Sequence, residues 1–110
     1  MSFLLRQIDE RGNIDNECAI YHCLADKNEF SALLADSEYI RNCSIDHHLG
    51  NAYQFRCCNC KKDDVVFVHT KIGVAKSETQ PSGMTIHHVY LGLNSAVWGD
   101  YDDRLTMLEL

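Results

Sequence analysis

Cys57 and Cys60 carry the clearest chemical signal in the chain, because a Cys-x-x-Cys pair is the spacing by which a tetrahedral metal takes half of its ligands. They lie within Tyr53-Gln-Phe-Arg-Cys-Cys-Asn-Cys-Lys-Lys-Asp-Asp-Val-Val-Phe-Val-His69. That stretch is an alternating run, a cysteine-dense bend and a β-branched run, the pattern of a hairpin with thiols at its turn. Zinc is the cofactor such a bend offers, with Cys18 and Cys23 as the second pair of ligands. His22 can replace Cys23, Cys58 stands beside the first pair, and Cys43 with His47 is another source of two ligands. Lys61 and Lys62 would offset the charge of a tetrathiolate. Against the metal stands burial alone, since cysteine behaves as a small apolar side chain and is among the most buried residues. Redox use of the pair is disfavoured: no helix starts after Cys60 to stabilise a thiolate.

Two further groups have chemistry to offer. His69, His87 and His88 fall in successive β-type runs, where a cross-strand pair can bind metal or titrate near neutrality. Of the adjacent pair His87 and His88, one must face into the protein and the other out, because strand side chains alternate. Trp98-Gly-Asp100-Tyr101-Asp102-Asp103 combines aromatic contact area with three carboxylates, the composition of a protein-binding surface aimed at a basic partner.

Ile86-His-His-Val-Tyr-Leu-Gly-Leu93 resembles the histidine-bearing strand of NlpC/P60-type and related papain-like thiol hydrolases. The resemblance covers eight of 110 residues. It implies a Cys/His hydrolase in which Cys43, placed before the histidine strand as in the NlpC/P60 order, is the nucleophile and His87 or His88 its base.

The elements that must position these residues follow from periodicity and turn chemistry. Phe3 to Asp9 suits a strand or a short helix capped by Ser2 and stopped by Gly12, and Cys18 to Leu24 a strand or a helix starting at Asn16; the Gly12-Asn13 turn between two apolar runs favours a pair of strands. Asp26 followed by Glu29 looks like a capping box, and Phe30, Leu33, Leu34, Ser37 and Ile40 share one face at helical spacing. The sequence therefore predicts a helix from about Lys27 to Arg41. Asn42 to Asn51 is a polar connection; strands follow at about 53–58, 65–72 and 84–93, with a loop at 76–83 around the only proline. A simple antiparallel meander of the last two strands brings His69 near His88. Residues 104–110 suit either a strand or a short helix. Together these predict an α+β fold over a single domain, 1–110, with a mainly antiparallel sheet of four or five strands packed on one principal helix.

Composition narrows the functions. The chain has 45% hydrophobic and 24% charged residues, ordinary values for a globular domain, and a net charge of −6. Only residues 51–83 are locally basic, with five basic against three acidic side chains. Direct nucleic-acid binding, which depends on neutralising phosphates, is not expected. No apolar run approaches the roughly 20 residues that span a bilayer, so no membrane partner is expected. The first residues reach Arg6 with no leader-like apolar stretch, which predicts a cytoplasmic home. The expected function is a small acidic intracellular protein-binding module of the adaptor, immunity or inhibitor kind. It would occupy the surface of a partner protein, a basic nucleic-acid-binding groove being the complement of an acidic exterior. The Cys/His hydrolase is the alternative.

Overall fold

The computed structural model describes residues 3–28, 30–36, 52–57, 59–96, 98 and 105–109. They form eight strands: β1 (Phe3–Asp9), β2 (Cys18–Cys23), β3 (Phe30–Asp36), β4 (Ala52–Cys57), β5 (Val65–His69), β6 (Lys76–Thr79), β7 (Thr85–Tyr90) and β8 (Leu105–Glu109). Five of them make one sheet in the order β1-β2-β5-β7-β6, and three make a second in the order β4-β3-β8. Every pairing is antiparallel except that of β5 with β7.

The sheets share one apolar core. Phe3, Tyr21, Val66, Val68 and Val89 enter it from the five-stranded sheet, Ala32, Leu34, Phe55 and Met107 from the three-stranded one, and Trp98 packs with them. Alternation accounts for the choice. Val66 and Val68 are buried while Val65, Phe67 and His69 between them are half-buried on the other face.

The α+β expectation is wrong: no described residue is helical, and Phe30–Asp36 is a strand where a helix over 27–41 was expected. Phe-Ser-Ala-Leu-Leu-Ala-Asp satisfies both periods, because apolar residues at 30, 32 and 34 also line one face of a strand. Its backbone is used by β4 on one side and β8 on the other, and this pairing outweighs the helix propensity of Ala and Leu. Asp26 does not cap a helix; its carboxylate accepts the Lys62 amide at 2.8 Å, and Lys27 bridges to Cys60. The remainder of the expected helix, 37–41, lies outside the described residues.

The second correction concerns the cysteine-bearing stretch. β4 and β5 belong to different sheets, so residues 57–64 are a crossing between layers and not the bend of a hairpin. The third is the expected loop at 76–83, which contains β6. From the end of β5 the chain passes over β7 to the sheet edge, runs back as β6, and turns to insert β7 between β6 and β5. Two local features allow this route. Gly73 lies against the Tyr90 ring, where a Cβ would come within 2.4 Å of ring carbon, so only glycine fits. Gln80-Pro-Ser-Gly83 closes as a turn, with Pro81 at its second position and the Gly83 amide donating to the Gln80 carbonyl at 2.9 Å.

Leu34 is fully buried on the central strand of the small sheet. Leu34→Ala is expected to lower stability by about 3 kcal/mol, the usual cost of a large-to-small change in a packed core, measured as a shifted urea midpoint at unchanged slope.

Candidate functional site

Asp64 ends the turn after Cys60 and directly precedes β5. One carboxylate oxygen, Oδ2, accepts the Lys61 amide at 2.9 Å and meets His87 Nε2 at 3.0 Å, while Oδ1 accepts the Thr85 amide at 3.0 Å. Both side chains are buried. Burial works to raise the Asp64 pKa, but the hydrogen bonds from His87 and from the Lys61 and Thr85 amides outweigh it and hold the carboxyl below its ordinary range. Asp64 is therefore ionised at neutral pH, and the ring nitrogen facing it carries the hydrogen.

The other ring nitrogen of His87, Nδ1, lies 2.9 Å from Ser77 Oγ and accepts from it in the neutral ring. Ser77 stands directly opposite His87 in the β6–β7 ladder. The result is a linear chain: buried carboxylate, buried imidazole, exposed hydroxyl. It opens into a cleft of about 230 Å³ where β4 approaches β7, lined among others by Arg56, Cys57, Lys76, Ser77 and His88. Sequence reasoning missed Asp64 and Ser77. Asp64 looks like turn charge, and Ser77 sits in what reads as a loop; the run Lys-Ser-Glu-Thr followed by a Pro-Ser-Gly turn was the available sign of a strand.

His87 faces in and His88 faces out, as alternation requires. His69 and His88 do meet, Nε2 to Nδ1 at 2.9 Å with rings stacked, but the ladder between their strands is parallel, pairing Phe67 with His88 and His69 with Tyr90. Phe67 and Tyr90 complete an aromatic face around them. Burial foremost, then His88, Lys71 and Lys76, push the His69 pKa down to about 4. Burial also lowers that of His88, with Glu78 opposing and Lys76 and His87 assisting.

The four cysteines expected to hold zinc do not assemble as a set. Cys57 and Cys60 approach to 3.8 Å between sulfurs, and the Cys23 thiol also hydrogen-bonds Cys60. Cys18 is remote from them because five residues along a strand reverse the face, and it sits across from His69 at the other end of β2. Burial, with Asp9 contributing, pushes the Cys18 thiol up to about 12, and burial raises Cys23 as well. Among the described residues no group of three or more His, Cys, Asp or Glu is arranged to hold a metal ion. Cys18, Cys23, Cys57 and Cys60 are buried thiols outside any disulfide.

Trp98 is 0% exposed and cannot be the surface anchor expected of it. Its amide donates to Glu17 Oε2 at 3.4 Å, and Glu17, itself buried, also accepts the Gly12 amide at 3.0 Å and the Thr70 hydroxyl. Asp100, Tyr101, Asp102 and Asp103 lie outside the described residues, as do Cys43, His47 and Cys58.

Two outcomes are expected. Asp64→Ala leaves two backbone amides and a buried imidazole without their acceptor, and should cost about 3 kcal/mol or more in a denaturant titration. His69 takes up a proton near pH 6.5 when unfolded but only near 4 when folded, so its contribution is intact above pH 6.5 and is lost as the pH falls toward 4. The urea midpoint should decline across that window, and less steeply in His69→Gln. No protein-family model matches this chain, and neither a curated protein nor a solved structure resembles it at a significant level.

Proposed function

We propose that this chain is a small acidic protein-binding module, of the adaptor, immunity or inhibitor kind, that works by occupying a partner protein's surface. One observation carries it. The loop from Thr70 to Ala75 holds two apolar side chains out in water, Ile72 at 72% and Val74 at 86% exposure, and runs directly into β6, the edge strand of the larger sheet. All four residues of β6 are exposed, and its outer side has no strand beside it among the described residues. An unpaired edge is a template for another chain's strand, and apolar side chains beside it supply anchors. Trp98, being buried, has no part in this surface.

The net charge of −6 supports a partner with a basic surface, since opposite fields speed encounter and exclude wrong partners. Direct binding to nucleic acid is not part of the proposal, for the same reason. Cysteines outside any disulfide at positions 18, 23, 57 and 60 suit a reducing compartment, and the cytoplasm is the proposed location. No helix among the described residues is long and apolar enough to cross a membrane.

A hydrolase is the second reading, and a specific observation favours it: His87 has a carboxylate partner on one nitrogen and a hydroxyl on the other. Cys43, the nucleophile that the NlpC/P60 resemblance implies, lies outside the described residues.

Val74→Asp tests the binding module. With 86% of the side chain in water, the change should leave the unfolding midpoint within about 0.5 kcal/mol of wild type. It should also weaken the affinity for a co-purifying partner at least tenfold, because burying a valine is worth about 1.5–3 kcal/mol at a contact. Equal capture of the same proteins by wild type and Val74→Asp, measured by quantitative co-purification, would remove this surface from consideration.

A further inference from the structure

We propose that Ser77 is a nucleophile, with His87 as its base and Asp64 as the carboxylate that orients the base, and that it transfers acyl groups from small esters or thioesters in the cleft beside β4. The inference stands apart from the protein-binding role, since it rests on the inner side of β6 and not on the loop at Ile72 and Val74.

Three observations point the same way. Ser77 Oγ is 2.9 Å from His87 Nδ1, and His87 Nε2 is 3.0 Å from Asp64 Oδ2, both within the reach a nucleophile, base and orienting acid require. Asp64 cannot swing away, because the Lys61 and Thr85 amides hold it, so the imidazole keeps its hydrogen on Nε2 and its lone pair toward Ser77. The burial gradient also runs in the useful direction. The acid and base are buried and the hydroxyl is exposed at a cleft, where a substrate can reach it. A mere staple between Asp64 and β7 would be complete without any group on the far side of the ring.

The ring presents Nδ1 to the hydroxyl and Nε2 to the carboxylate, the reverse of the chymotrypsin arrangement. Both nitrogens of imidazole serve as acceptor or donor depending on which one the partner protonates, so the relay works in this sense too. The step balances as follows. Ser77 Oγ bonds to the acyl carbon while its proton passes to Nδ1; the bond from that carbon to the leaving alcohol or thiol breaks as Nδ1 returns the proton to it. Water then repeats the sequence, giving up a proton to Nδ1 and displacing Ser77, which regains its hydrogen as the carboxylic acid departs. Arg56 and Lys76 at the cleft rim give a positive field for the oxyanion that develops, although Lys76 also pairs with Glu78 at 3.4 Å. At about 230 Å³ the cleft is smaller than the roughly 300–1,000 Å³ of drug-sized pockets, which selects short acyl groups.

The test uses a fluorophosphonate, which phosphonylates an activated serine with loss of fluoride, followed by peptide mass mapping. Labelling at Ser77 is expected, absent in Ser77→Ala and slowed at least 100-fold in His87→Gln. His87 is buried and its variants need a folding check, so a second pair of variants on exposed β6 positions is included. Ser77→Cys should react with iodoacetamide at least tenfold faster than Thr79→Cys, which lies on the same face of the same strand without a histidine opposite. No phosphonylation of Ser77, labelling unchanged in folded His87→Gln, or equal alkylation of the two introduced thiols would each overturn the proposal.

Discussion

A carboxylate taken out of water persists only when fixed donors replace its hydration, and Asp64 meets that demand. Its donors come from two parts of the chain: the Lys61 amide in the turn just before it, and β7, which supplies both the Thr85 amide and the ring of His87. The Asp64 carbonyl also accepts the Cys23 amide at the end of β2. One residue thereby joins the crossing between the sheets to β2, β5 and β7. Its bonds to Thr85 and His87 tie the start of β7 to the start of β5.

Glu17 does comparable work at the opposite end of the same sheet. It draws together the β1–β2 turn at Gly12, the exit of β5 at Thr70 and the segment bearing Trp98. Two buried acids thus bracket β5, one at each end, and each collects donors from segments distant in sequence. In a β protein of this size such polar junctions can specify which strands meet, a task that uniform apolar packing performs poorly. They also make the acidic composition partly structural, since Glu17 and Asp64 serve the interior and not the exterior.

The route of the chain around β7 has consequences at the surface. Because β7 is inserted between β5 and β6, the connection from β5 must pass over Tyr90, which is possible only with glycine at position 73. That passage lifts Ile72 and Val74 away from the core and leaves β6 as the sheet edge. The same topology therefore creates both the exposed apolar loop that leads into β6 and the Ser77 hydroxyl beside the cleft.

The sequence by itself determined whatever depends on neighbours a few residues apart. Period-two alternation put Cys57 inward and required one of His87 and His88 to face in without saying which, and the Gly12-Asn13 turn favoured the hairpin of β1 and β2 over a helical reading without deciding it. Only the tertiary structure decided what depends on partners far along the chain. Residues 30–36 carry an apolar pattern that fits a helix or a strand, and the backbone donors and acceptors of β4 and β8 made the choice. The parallel pairing of β5 with β7, the burial of Trp98 and the separation of Cys18 from Cys57 and Cys60 were equally invisible, because none has a local signature. The chain of Asp64, His87 and Ser77 is the sharpest case. Its members are 23 and 10 residues apart and share no motif, and they meet because a strand that reads as a loop folds back along β7.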